Sequence, residues 1–164
     1  MNKLLLQVVK TGFFLMGTYA VTVLAADSAI QLKNEAFKEI KVNEKGKEVI
    51  KLVPPGVALP KDEIFYITTF KNISNKALSD IVITNPIPNN SVYKKDSAVG
   101  AGTVIEYSVD GGKRYDKPEN LKVKDGDGKL RAATIEDYTD IRWRYTNELK
   151  PQQEANVTFR TLVK

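Results

Sequence analysis

Apolar and polar residues alternate along most of this chain, and the alternation comes in short runs. Ile40 and Val42 sit between Glu39 and Lys41, and Val49 to Val53 forms a second apolar run beyond the polar Asn43-Glu44-Lys45-Gly46. Two such runs around a short polar turn predict a β-hairpin. Pro54-Pro55-Gly56 ends it, because prolines withdraw ladder donors. Ile64 to Phe70 is the strongest strand signal, dense in β-branched and aromatic residues. Asp80 to Thr84 predicts another strand, closed by Asn85-Pro86-Ile87-Pro88, and Val92-Tyr93 adds a short one.

The second half repeats the pattern. Ile105, Tyr107 and Val109 share one face, and Asp110-Gly111-Gly112 provides a turn after which Arg114-Tyr115 starts a return strand. Leu121 to Lys124 is a short strand before Asp125-Gly126-Asp127-Gly128. Ile141, Trp143 and Tyr145 alternate with Arg142 and Arg144, and Val157, Phe159 and Thr161 with Thr158 and Arg160. Ala132 to Asp137 has room for one helical turn, and no longer segment keeps a helical period. Many short strands with frequent turns predict an all-β fold, a single β-sandwich. Pro86 and Pro88 hold the chain extended and are expected to throw it across to the opposite sheet.

The N-terminus departs from this pattern. Met1-Asn2-Lys3 is charged, Lys10 is the last charge, and Thr11 to Ala25 has none. Small residues follow at Val23-Leu24-Ala25-Ala26. A charged start, an apolar middle and a small-residue exit describe a secretory signal peptide, with cleavage after Ala25. The uncharged run is shorter than the roughly 20 residues of a membrane-spanning helix. Three segments are therefore expected: a signal peptide at 1–25, an N-terminal arm and β-hairpin at 26–54, and the sandwich at 55–164. Residues 26–38 are open between a loose arm and a first strand.

Composition adds limits. The 164 residues carry a net charge of +5, and two of the lysines lie within the signal segment. The +3 that remains is slight evidence for a nucleic-acid or membrane partner. Cysteine is absent, so an exported fold must hold without disulfides, and a lipid-modified cysteine is excluded. Histidine is absent too, which removes the commonest general base and metal ligand.

Candidate chemistry is sparse. Asp125, Asp127 and Glu136 match positions of a calcium loop, but Lys129 and Leu130 stand where a ligand and the turn glycine belong. The Asp-Gly pairs therefore read as a turn, with no metal site. Glu136, Asp137 and Asp140 cluster, and facing carboxylates can hydrolyse glycosides. Exposed acids beside a turn are the plainer reading. Trp143 with Tyr145, and Tyr66 with Phe70, are read as core ahead of a sugar-stacking face. Neither a Gly-x-Ser-x-Gly elbow nor a supported Ser-x-x-Lys pair occurs. Asn72-Ile73-Ser74, Asn89-Asn90-Ser91 and Asn156-Val157-Thr158 are glycosylation triplets, relevant only in a eukaryotic source. Catalytic, cofactor and metal residues are accordingly all predicted as none.

Four ordered motifs resemble one family. They are Asp62 to Thr68 with Phe70-Lys71-Asn72, Ala77 to Pro88, Tyr107 to Gly112, and the closing set Ile141-Arg142-Trp143, Leu149-Lys150-Pro151 and Val157-Thr158-Phe159. From Pro55 to Val163 the chain resembles the DUF11 repeat domain, an immunoglobulin-like module of bacterial exported and surface proteins. It departs at Asn85, where the family usually has Asp, at Ile73-Ser74 in place of Thr-Gly, and at Gln152 in place of Gly. The resemblance implies an immunoglobulin-like sandwich in a wall, surface or periplasmic protein, with no catalytic residues to carry over. The expectation is an exported, non-catalytic structural or binding module of the bacterial envelope or cell surface. It would contact an envelope protein or a polysaccharide, and nucleic acid is not expected. An adhesion or envelope-assembly subunit using strand addition is the alternative, with a carboxylate hydrolase behind it.

Overall fold

The computed structural model describes residues 29–164. The signal peptide expected at 1–25 and residues 26–28 of the expected arm lie outside the described residues. What is described is all-β, with antiparallel pairing throughout.

The chain opens on β1 (Ile30–Glu44) and returns in β2 (Lys47–Val53). Lys45 and Gly46 take φ of 52° and 80°, the left-handed pair of a two-residue type I′ turn. Asn43 steadies it, its side-chain oxygen accepting from the Gly46 N–H at 2.9 Å. Residues 30–38 are strand, which settles the choice the sequence left open. They pair with β3 (Glu63–Asn72), from Ile30 opposite Asn72 to Lys38 opposite Ile64. Lys38 is also where β2 leaves β1, opposite Val53. Thus β1 is shared end to end: its first half pairs with β3, its second half with β2 on the other side. The β1–β2 hairpin consequently projects past the body of the sheet.

The remaining strands are β4 (Val82–Pro86), β5 (Ser91–Tyr93), β6 (Val99–Gly100), β7 (Thr103–Ser108), β8 (Lys122–Lys124), β9 (Leu130–Ala132), β10 (Asp140–Tyr145) and β11 (Glu154–Val163). The larger sheet runs β2-β1-β3-β11-β5, with β6 also on β11. A second sheet is β4-β10-β7, and β8-β9 forms a separate hairpin. Between β4 and β5 the chain crosses from the smaller sheet to the larger, as the Pro86 and Pro88 reading expects. Two details differ from expectation. Arg114-Tyr115 starts no strand, and only a single bridge joins Tyr107 to Asp116, because Asp110 gathers the turn around its own carboxylate. The short strands β6 and β9 carry too few apolar residues to announce themselves. Ala132 to Asp137 ends in a single turn closed from Asp137 N–H to the Thr134 carbonyl.

Inner faces of both sheets contribute to one core. Phe70, Val157 and Phe159 come from the larger sheet, and Ile83, Ile141, Trp143 and Tyr145 from the smaller. Phe70 meets Tyr145 edge-on at 5.4 Å, and Trp143 lies 6.0 Å from Phe159. Trp143, Tyr145, Tyr66 and Phe70 thus pack as the core reading predicts, with Tyr66 stacked on Phe159 at 4.7 Å.

One buried polar residue fastens the end of β3. The Asn72 amide donates to the carbonyls of Leu149 (2.8 Å) and Lys76 (2.7 Å). Its oxygen accepts from the N–H and the hydroxyl of Ser74. Asn72 backbone also pairs with Gln152 and Gln153. Gln152, where the resembled family has Gly, adopts φ 61°. Replacing Asn72 by Leu keeps the volume but removes four side-chain hydrogen bonds, each worth about 0.5–1.5 kcal/mol net. Asn72→Leu is expected to lower the unfolding free energy by about 2–4 kcal/mol in urea titration. Ile73→Ala, at the half-exposed neighbouring position, is expected to change it by under about 1 kcal/mol.

Candidate functional site

The clustered charges of the sequence have been drawn into local structure. Asp125 closes its own turn, its Oδ1 accepting from the N–H groups of Asp127 (3.0 Å) and Lys129 (2.8 Å). That is the Asp-Gly turn expected, with Lys129 bonded where a calcium ligand would stand. Among the described residues no three acidic side chains group as metal ligands do.

Glu136, Asp137 and Asp140 border a cleft of about 460 Å³ beside Pro86 to Asn89. Asp137 is clamped by Arg131 through both oxygens, at 2.6 and 2.8 Å, and by the Thr134 N–H at 2.8 Å. The Arg131 guanidinium holds the Asp137 carboxyl far below the ordinary carboxylate range. Hydrogen bonding from Thr134 lowers Glu136 as well. A glycosidase acid needs its pKa raised. Both groups here are shifted the other way, while Asp140 is buried at the start of β10.

A larger cleft, about 640 Å³, is lined in part by Asp110, Arg114, Tyr115 and Arg142. Its charges face inward to one another. Asp110 accepts from the N–H groups of Lys113 and Arg114, from the Ser108 hydroxyl and from the Arg114 guanidinium. Those bonds depress its pKa strongly. Arg142 bonds Glu106 at 2.8 Å and lies 4.3 Å over the Tyr115 ring. Burial pushes the Tyr115 hydroxyl up to about 12.

Exposed apolar side chains gather on and beside β2 at the edge of the larger sheet. Ile50 is 62% exposed and Leu52 45%, on one face of β2. Val57 and Leu59, just beyond the prolines, are exposed as well. Opposite strands are braced by charge: Lys41 pairs with Glu48 at 2.7 Å, and Lys51 with Glu44. At the hairpin base, Arg160 of β11 reaches Glu39 (2.6 Å) and Glu63 (2.9 Å) while covering the Phe65 ring at 4.3 Å. Lys94 adds a second cation on Glu63.

The backbone of this edge is directed by register. The Lys45-Gly46 turn closes on the Glu44–Lys47 pair, so Lys47, Val49, Lys51 and Val53 bond inward to β1. Glu48, Ile50 and Leu52 therefore turn their N–H and C=O groups outward, where no described strand lies. The sequence located the hairpin but not the absence of a covering layer. Ile50 shares its face with Lys41, the side of β1 turned away from the core, which only the cross-strand register reveals.

No family model matches the chain, and no curated protein or solved structure matches it either.

The lowered carboxyls carry a pH dependence. Asp110 and Asp137 bind protons more weakly folded than unfolded. The stabilisation they lend is present above about pH 4, the ordinary Asp value, and is lost as pH falls through their folded values. Urea midpoints are therefore expected to drop between pH 5 and pH 2, by a smaller margin in Asp110→Asn/Asp137→Asn. Equal acid slopes in the two proteins would count against this assignment.

Proposed function

We propose that this chain is an exported, non-catalytic binding or structural module of the bacterial envelope or cell surface. We read its two sheets as an immunoglobulin-like sandwich of the DUF11 kind, acting through contacts with protein or polysaccharide. The fold class supports this reading: antiparallel sheets share one aromatic core without disulfides. The charged, apolar and small-residue sequence of 1–25 supports export. The observation that carries the binding role is the open, partly apolar edge of β2, a surface of the kind used for strand addition. An adhesion or assembly subunit draws on the same edge and is the second reading. Hydrolysis near Glu136 and Asp137 is disfavoured by the downward shift of both carboxyls.

A tag after Lys164 tests the reading in a bacterial host. The expected result is a chain starting at Ala26 outside the cytoplasm, crosslinked in intact cells to an envelope protein or polysaccharide. Recovery of the unprocessed chain from the cytoplasm alone would overturn export. Glycan turnover that Glu136→Gln or Asp137→Asn abolishes would overturn the non-catalytic assignment.

A further inference from the structure

We propose that β2 is a self-complementary edge through which two copies of this chain pair antiparallel, about a two-fold axis at Ile50. The inference rests on the binding-module reading above and names its partner: a second copy.

Three observations converge on it. First, the edge is chemically open. Glu48, Ile50 and Leu52 direct backbone donors and acceptors away from β1, and the next strand in that direction is absent among the described residues. Such an edge is completed by another strand, not by a globular surface. Second, the charge pattern selects one register. With Ile50 opposite the second copy's Ile50, Glu48 faces Leu52, Lys51 faces Val49, and Lys47 faces Val53. Every charge is then opposite an apolar residue. Sliding the pairing by one residue on each copy in one direction sets Lys47 opposite Lys51, and in the other sets Lys51 opposite Lys51. Like charges directly opposite destabilise a ladder. The favoured register also sets the two exposed isoleucines side by side on one face, with each Leu52 diagonal to the other copy's Ile50, so part of their apolar surface leaves water. Third, the projection of the hairpin leaves room. β2 pairs with β1 only from Lys38 onward, past the end of the β1–β3 ladder. Two projecting hairpins laid side by side in opposite directions keep the two bodies at opposite ends.

The closed two-fold symmetry makes this a dimer and not a fibre. The contact spans the seven residues of β2 on each copy, so it falls in the small, low-affinity class of interfaces. The expected dimer is reversible and concentration-dependent.

The test uses the full chain, which has no native cysteine. Facing residues of an outward-bonded pair have Cα atoms about 5.5 Å apart, within disulfide reach. Under mild oxidation Ile50→Cys is expected to form a covalent dimer at least about tenfold faster than Val57→Cys, because pairing raises the local thiol concentration. Val57 is 84% exposed and lies outside the ladder. In sedimentation velocity the wild type is expected to shift from monomer to dimer between micromolar and near-millimolar concentration. Ile50→Pro removes an outward N–H and no bond to β1, so it is expected to stay folded by circular dichroism and remain monomeric. Equal crosslinking of Ile50→Cys and Val57→Cys, or a wild type that stays monomeric throughout, would overturn self-pairing. If the monomer still crosslinks to an envelope component in cells, the proposed function stands and only the second copy is excluded as its partner.

Discussion

The contact between Trp143 of β10 and Phe159 of β11, with Phe70 against Tyr145 beside it, is the joint on which this fold depends. Within each sheet, hydrogen bonds set register, but nothing in a ladder holds one sheet to another. A chain without cysteine has no covalent substitute. The inter-sheet attraction must come from apolar area, and large rings supply the most per residue. Tyr93, Tyr107 and Tyr138 extend the same packing, with Tyr93 and Tyr107 sharing a hydroxyl bond at 3.0 Å. Burial and that bond raise the Tyr107 pKa, which keeps its hydroxyl neutral. Within this layer the Tyr93 and Tyr107 hydroxyls are paired, while the buried indole N–H of Trp143 meets no acceptor among the described residues.

That joint was legible in the sequence because it is written with period two. Ile141, Trp143 and Tyr145 alternate with arginines, and Val157, Phe159 and Thr161 with polar partners, so their inward faces could be named in advance. Hairpin turns were legible for the same local reason: Asn43 to Gly46 combines a side-chain acceptor with a glycine. What local pattern does not contain is which strand lies beside which. The length of β1 shows this. Residues 30–38 pair with β3 and have mixed polarity, because part of their inward face looks past the edge of the smaller sheet. Leu32 is 41% exposed on the same face as buried Ile30. Burial there depends on the width of a sheet formed by residues 82–145, which no window around β1 can sense.

The candidate site was less legible, and the reason is electrostatic. From spacing alone Asp110 and Asp125 read as turn residues and Glu136 and Asp137 as exposed acids, with calcium binding and hydrolysis as the lesser readings. Spacing left out the donors nearby in the chain that engage them: the Asp110 turn amides, the Asp125 turn amides, and Thr134 with Arg131. A carboxylate that accepts several hydrogen bonds is stabilised in its charged form and is a poor proton donor. Spacing reveals that acids are close. It does not reveal that an arginine six residues upstream already holds one of them.

The projecting hairpin is where structure exceeds what its own core can explain. A two-stranded ribbon is marginal by itself in water. Its braces, Lys41–Glu48 and Lys51–Glu44, are exposed cross-strand pairs worth a fraction of a kcal/mol each. Only at the base does it join the body, through Glu39 on Arg160 and Lys38 on Asp62. A hairpin serving stability alone would place its isoleucine and leucine inward, over the sheet. This one turns Ile50 and Leu52 to solvent beside an open row of backbone donors and acceptors, and the double proline stops β2 before it can lie along the rest of β1. Exposed apolar side chains and unpaired backbone are both costs to the monomer. The proposed strand from a second molecule would relieve both at once, which is the physical reason for reading the hairpin as a contact element and not as part of the core.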